Sequence, residues 1–414
     1  MNWPSVQLGR LCQLHNGRAF QPSDWSASGL PIIRIQNLNG RDKPFNHWNG
    51  PLDRQVMVNP GDVLLAWSGT PGTSFGAHKW QGAQGILNQH IFRLDLDDRL
   101  ISRDWAVRAI NYRLHRLIEQ AHGGVGLRHV TRGMVEKLEL PLPPPKEQRQ
   151  IVELLEQADV LRRQRVEADA LGDRIIPALF HKMFGDMVAN DRVWPVVRLG
   201  DVVESRLGKM LDGKQQTGEH RRPYLRNLNV QWGRFDLSSV LEMDFAPDER
   251  DEFRLEKGDL LICEGGEVGR AAIWDERIPE CYFQKALHRV RPHADKCNAE
   301  YLLYLLWAFA KRGALIDLNS MATIPHFTGV QLAALRIPLP PLCLQKTFAR
   351  LVQITSSVAT QASASGENIE TLFATLLHLA FTGKLTVKWR GAHLKELLAE
   401  MEHQARLLRL VAAA

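Results

Sequence analysis

The chain repeats itself, and that constrains its fold more than any other feature. LPLPPPKEQ at 140–148 returns as IPLPPLCLQ at 337–345, an offset of 197. The same offset lays GDVLLAWSG (61–69) on GDLLICEGG (258–266), and His129-Val130-Thr131 on His326-Phe327-Thr328. It also lays His181 on His378 and Phe184 on Phe381. An offset near 190 aligns WPSVQLG (3–9) with WPVVRLG (194–200) and IQNLN (35–39) with LRNLN (225–229). Solenoid repeats run roughly 20–50 residues. Each copy is therefore domain-sized, and the chain is a tandem duplication.

Each copy has two parts. The first, about 1–140 and 194–337, mixes short alternating segments, glycine turns and one helical stretch. VMVNPGDVLLAW and FRLEKGDLLICEGG read as strand–turn–strand units, and DWAVRAINYRLHRLI and AEYLLYLLWAFAKR as helices. The second part follows each proline tract and is helical. Ile151, Leu154, Leu155, Ala158 and Leu161 form one apolar stripe; Phe348, Leu351, Val352, Thr355, Val358 and Ala362 form the other. Leu-Gly-Asp at 171–173 with Pro177, and Ser-Ala-Ser-Gly at 363–366, predict a break or kink in each rod. Proline fixes φ and favours extended backbone, so each tract is a stiff strut joining an α+β domain to a helix.

At 414 residues the chain suits two or three domains, and its 24% charged residues are ordinary for a globular protein. MNWPSVQLGRL lacks the pattern of a secretory leader, and YLLYLLWAFA at 301–310 is half the length that spans a bilayer. Five cysteines at 12, 263, 281, 297 and 343 form no CxxC pair, which argues against a zinc site or disulfide framework and for a reducing, cytoplasmic setting. The net charge is +6. Six arginines between Arg103 and Arg132 face two acids, and six Lys/Arg between Arg206 and Arg226 face two more. A basic patch in each half suits phosphate contacts; its bland counterpart is a solvated face.

No catalytic motif assembles. GKMLDGKQ at 208–215 has the P-loop spacing but carries Gln215 where Ser or Thr must reach magnesium. The amino-methyltransferase N/D-P-P-aromatic signature is absent, and the histidines show no metal spacing. Polar residues at turns are better placed for recognition, because Arg pairs with guanine and Asn or Gln with adenine through two hydrogen bonds. Candidates are Arg34, Gln36, Gln89 and His90 in the first copy, and Arg226, Asn227, Gln284 and Lys285 in the second. Non-matching segments add Trp67, Ser68, Thr70 and Arg128 against Glu264 and Glu267. His129, Thr131, His326 and Thr328 are shared, and either touch phosphate or cap the following segment. Asn37/Asn39 and Asn227/Asn229 are also shared, which favours turn capping over base reading for them.

Taken together, L-P-x-P-P-x-x-x-Q opening two helices, the duplicated GD-[VL]-LL/LI units, the H-x-T segments and the closings at Phe184-Gly185 and Phe381-Thr382-Gly383 resemble the specificity (S) subunit of type I restriction–modification systems. The resemblance spans essentially the whole chain. It implies an α+β fold with two target recognition domains, at 1–145 and 191–342. Two long antiparallel helices, at 146–190 and 343–383, would form a coiled-coil-like spacer, with a helical tail at 384–414. It implies a subunit without catalysis or cofactor of its own that binds one part of a bipartite double-stranded DNA target with each half. Partners would be two methyltransferase subunits using S-adenosylmethionine and restriction subunits using ATP and magnesium. Docking is expected on the helix starts, through Glu147, Gln148, Ile151, Leu155, Gln345, Phe348 and Val352. Leu344 stands where the first copy has Glu147, and Pro177 is unusual inside such a rod. The amphipathic tail (Leu394, Leu397, Leu398, Met401) is a candidate partner-binding helix. The alternative reading is a protein–protein scaffold that does not act on DNA.

Overall fold

Two turns set the path of each copy. Asn59 N donates to Asp62 Oδ2 at 2.8 Å, and Gly61 takes φ +91°, a left-handed value that a β-carbon would strain. Glu256 N donating to Asp259 Oδ2 at 2.7 Å, with Gly258 at φ +95°, repeats the turn. These are not hairpins. Met57–Val58 pairs with Gly85–Leu87 in one sheet, whereas Val63–Ala66 pairs with Ile91–Leu96 in another. Val63–Ala66 is buried at all four positions, and a strand buried on both faces needs cover on each side. The turn therefore carries the chain from sheet to sheet.

The computed structural model describes residues 3–39, 43–51, 53–69, 75–120, 128–211, 216–315 and 328–413. It forms two compact units, Met1–Gln164 with Gly366–Ala414, and Arg165–Ser365. The divisions fall inside both long helices, so each unit holds an α+β domain with the start of one helix and the end of the other.

In the first unit an antiparallel sheet runs in the order Cys12–Asn16, Ile91–Leu96, Val63–Ala66, Gly76–Lys79. A second sheet runs Asn46–Trp48, Leu30–Ile33, Gly85–Leu87, Met57–Val58, with its middle pair parallel. The proline tract begins as a strand, Glu139–Pro141, paired antiparallel to Ser5–Gln7, and Leu142 N extends the pairing to Pro4 O. Pro145 then opens the helix Pro145–Phe184, at a position where a missing N–H costs nothing. The helix Arg103–Gln120 covers the core through Trp105, Ala106, Ala109 and Ile110, all fully buried. Ile151 and Leu155 from one long helix and Phe381 from the end of the other, Leu342–Phe381, join the same core. Phe381 stacks on Trp105 at 4.9 Å and on Tyr112 at 4.1 Å. Further along, Arg162 reaches Glu370 at 2.8 Å, so the two helix segments run antiparallel.

The second unit repeats the plan. Val203–Leu207, Leu287–Pro292, Leu260–Cys263 and Ala271–Ile273 form the antiparallel sheet, and Val196–Arg198 pairs with the tract strand Arg336–Pro338. The apolar stretch at 301–310 lies in the helix Ala299–Lys311, where Tyr301, Leu302, Leu305 and Leu306 are buried, as a core helix requires. Phe180 and Phe184 end the first long helix against Tyr301 and Phe348.

Both long helices are assigned as continuous over 40 residues. The expected breaks do not occur. The Ser/Thr-rich second helix returns its hydroxyls to its own backbone, with Thr355 donating to Leu351 O at 2.9 Å and Thr360 to Ser356 O at 3.0 Å. Residues that would favour turns are thereby accommodated within the helix. Gly172 has open space around it, so no packing forces the backbone to bend there. Among the described residues no helix is long and apolar enough to cross a membrane.

Candidate nucleic-acid interface

Strand order gathers the polar candidates of the first unit at one end of its sheets. Past Gly85–Leu87, Asn88 N donates to Ile33 O at 3.1 Å, which brings Gln89 and His90 beside Arg34. Trp67 N donates to His90 O at 3.3 Å and Val130 N to Trp67 O at 3.2 Å, while Arg128–His129 pairs with Ser68–Gly69. Trp67 meets the His90 ring edge-on at 5.4 Å and stacks on Phe92 at 5.6 Å. Gln89 and His90 are half-buried and Gln36 is exposed. Asn37 Oδ1 accepts from Arg34 N at 3.0 Å, so Asn37 caps its turn as its repetition in both copies suggested. Ser68 does not join the surface: it is only 5% exposed.

The second unit builds the corresponding end from different side chains. Gln284 N donates to Leu225 O at 3.0 Å, Lys285 N to Lys209 O at 2.9 Å and Glu264 N to Ala286 O at 3.0 Å. Arg226, Glu264, Gln284 and Lys285 thus lie together, with Lys285 exposed. Asn229 caps Arg226 N at 2.9 Å as Asn37 caps Arg34 N. The structure thus matches Asn37 to Asn229, an offset of 192, and corrects the pairing of IQNLN with LRNLN by two residues. Two candidates serve the fold instead. Asn227 Nδ2 donates to Gly265 O at 2.7 Å, and Asn227 O accepts from Arg270 at 2.9 Å, which ties down the 264–267 loop. Glu267 accepts from Trp232 Nε1 at 2.7 Å, so one of its oxygens is held away from a ligand.

Thr131 and Thr328 are helix caps, accepting from Met134 N at 3.4 Å and Gln331 N at 3.3 Å. Thr70 and His326 lie outside the described residues, and Arg128 and His129 are described in backbone only.

The helix starts require a correction. Glu147, Gln148, Ile151, Leu155, Gln345 and Phe348 are 0% exposed and Val352 is 8% exposed, so these residues offer no docking surface. Gln148 accepts from Ser102 N at 2.8 Å and donates to Leu100 O and Pro143 O, each at 2.9 Å. Gln345 accepts from Asn298 N at 3.0 Å and donates to Pro340 O at 2.7 Å. The glutamine common to both tracts is an internal clamp. It satisfies carbonyls that a proline-rich turn leaves without backbone partners.

Glu147 has a second role. It accepts from Trp3 Nε1 at 2.9 Å and Thr386 Oγ1 at 2.6 Å, and pairs with Arg390 at 2.7 Å. Arg390 also lies over the Trp3 ring at 5.2 Å. The tail helix Leu394–Ala413 packs on the same unit: Leu397 and Gln404 are buried, and Gln404 donates to Leu100 O at 3.0 Å. The tail expected to bind partners therefore turns one face onto its own chain. Arg390, Thr386 and Gln404 carry no motif in the sequence. Leu344 instead packs on the second core.

Burial pushes the thiols of Cys12, Cys281 and Cys297 up to about 12 and that of Cys263 to about 11, opposite to what a thiolate nucleophile requires. Among the described residues no three His, Cys, Asp or Glu side chains converge on a metal position.

A family model described as the type I restriction modification DNA specificity domain matches residues 1–167 and 192–366. The chain is 24% identical over 408 residues to the type I restriction enzyme MjaVIII specificity subunit of Methanocaldococcus jannaschii, covering 94% of each. It is 22% identical over 448 residues to the EcoBI specificity subunit of Escherichia coli, covering 100% of this chain and 92% of that one. The crystal structure of the type I restriction–modification S subunit from M. genitalium superposes with a TM-score of 0.55 at 16% identity, over 92% of this chain and 96% of the other. A chain solved in work on complex assembly and conformational transition of the type I system gives 0.61 at 18% identity, over 93% and 98%. These structural likenesses establish the fold.

Proposed function

Because the chain belongs to the type I restriction modification DNA specificity family, we propose that it is the non-catalytic subunit that selects the DNA sequence for a restriction–modification complex. Each unit contacts one part of a bipartite target in double-stranded DNA, and the two long helices set the spacing between the parts. Two methyltransferase subunits bring S-adenosylmethionine, and restriction subunits bring ATP and magnesium. The observation that carries this reading is the pair of strand-end clusters. Their frames are the same, down to the capping Asn37 and Asn229, while the side chains at matching positions differ: Asn88, Gln89 and His90 against Gln284, Lys285 and Ala286. A common frame with divergent tips suits two modules that read different bases.

The partner surface is not at the buried helix starts. It lies on the exposed helix positions beyond them, which include Val166, Leu171, Ile175, Ile354 and Val358. The test is co-expression of the full chain with its methyltransferase subunit, followed by genome-wide mapping of methylated bases. Methylation at one bipartite sequence, absent when this chain is omitted, is the expected result. If DNA affinity of the complex shows no dependence on salt, the scaffold alternative takes its place, because phosphate contacts give a steep negative slope.

A further inference from the structure

Two glycines mark a crossing that the sequence disguised. A β-carbon on Gly17 would lie 2.0 Å from Asn88 O, and one on Gly208 would lie 2.3 Å from Gln284 O. Both chains cross so closely that only glycine fits, and both then form a parallel bridge, Arg18 to Asn88 and Lys209 to Gln284. Gly208-Lys209, which open GKMLDGKQ, are therefore the second copy of Gly17-Arg18, while Gly213 and Lys214 lie outside the described residues.

The cations at this shared position have opposite fates. Lys209 is 8% exposed, donates to Asp244 O at 2.9 Å, pairs with Glu249 and lies over the Phe245 ring at 5.2 Å. Arg18 is exposed. Its guanidinium sits 4.4 Å from the Trp48 ring centroid and 5.4 Å from that of Phe20, and these rings meet each other edge-on at 5.6 Å. Among the described residues no carboxylate or carbonyl engages that guanidinium. Arg34, over Trp25 at 5.9 Å, stands on the other side of Asn88, through the hydrogen bond from Asn88 N to Ile33 O.

We propose that Arg18, carried on the indole of Trp48, reads a guanine edge in the part of the target that the first unit contacts. The inference rests on the DNA-selecting role proposed above. Contact with two rings restrains where the guanidinium can sit, and a restrained guanidinium favours the two parallel hydrogen bonds that guanine O6 and N7 accept. A phosphate contact would need only a charge within reach. Arg18 also lies in the strand-end row with Asn88, Gln89 and Arg34, on the frame that bears the variable residues. In the second unit the corresponding cation is buried, so that unit reads its bases without it.

The test uses the full chain with its methyltransferase subunit, carrying Arg18→Lys or Arg18→Gln, with methylated sites mapped genome-wide and melting curves recorded for each complex. The expected result is loss of about 10- to 100-fold discrimination at a single base pair of one half of the target. The other half and the spacing stay unchanged, and the melting temperature matches the parent. Uniform weakening at every site with no relaxed position would assign Arg18 to a phosphate and overturn the proposal, as would an unchanged pattern in both variants. If the parent complex itself yields no bipartite methylation, the DNA-selecting role fails first, and this inference falls with it.

Discussion

Replacing Glu147 by leucine converts the first helix start into the residue that the second copy carries at Leu344. The consequences are unequal because of what surrounds each position. Glu147 is fully buried, and Arg390, 8% exposed, holds it through two nitrogens, Nε at 2.8 Å and an Nη at 2.7 Å. Removing the carboxylate leaves a buried guanidinium without its counter-ion and strands the Trp3 and Thr386 donors, a loss of about 3–5 kcal/mol. Spread over the docked tail, that raises its opening equilibrium by roughly two to nearly four orders of magnitude. Hydrogen exchange by mass spectrometry suits the question, since two units make a single global unfolding energy ill-defined. The expected result is faster exchange across Val387–Ala392 and Leu394–Ala413, with Ala299–Lys311 of the second unit unaffected. The double variant Glu147→Leu with Arg390→Leu removes both charges and restores most of the protection, because a buried pair replaced by apolar groups is often neutral. Protection lost to the same extent in the double variant, or less than about 1 kcal/mol lost in the single one, would refute the claim that this pair clamps the tail.

Gly17→Ala forces a β-carbon into the Asn88 carbonyl and costs the first unit about 3 kcal/mol. Exchange measured unit by unit reports it, and parental protection in the first unit would contradict the crossing. Burial lowers the pKa of His78 below 6.5, so the folded state binds fewer protons than the unfolded chain. Its contribution is complete above pH 6.5 and declines as the pH falls below that value. Thermal melts from pH 7.5 to 5.5 should show the decline, and His78→Gln should flatten it. An unchanged slope in that variant would assign the effect elsewhere.

Much of this protein was legible without coordinates. The duplication, the α+β domains, the buried helix at 301–310 and the capping asparagines all follow from local chemistry: spacing, glycine and proline placement, and side chains that bond their own turns. Contacts between residues far apart in the chain were not legible. Arg390 meets Glu147 across 243 residues, and Gln404 meets Leu100 across 304. Such pairs leave no periodic trace, so an internal clamp resembled a docking motif. The expected helix breaks failed for a related reason. Propensity is weak, and a stretch of 40 helical residues anchored at both ends by buried apolar side chains carries a few poor helix formers with it. The sequence alone determined that two similar modules exist. Tertiary structure decided which polar residues reach the surface. Arg18 and Lys209 occupy one backbone position on one frame, and only the neighbouring rings and carboxylates leave the first in solvent and bury the second.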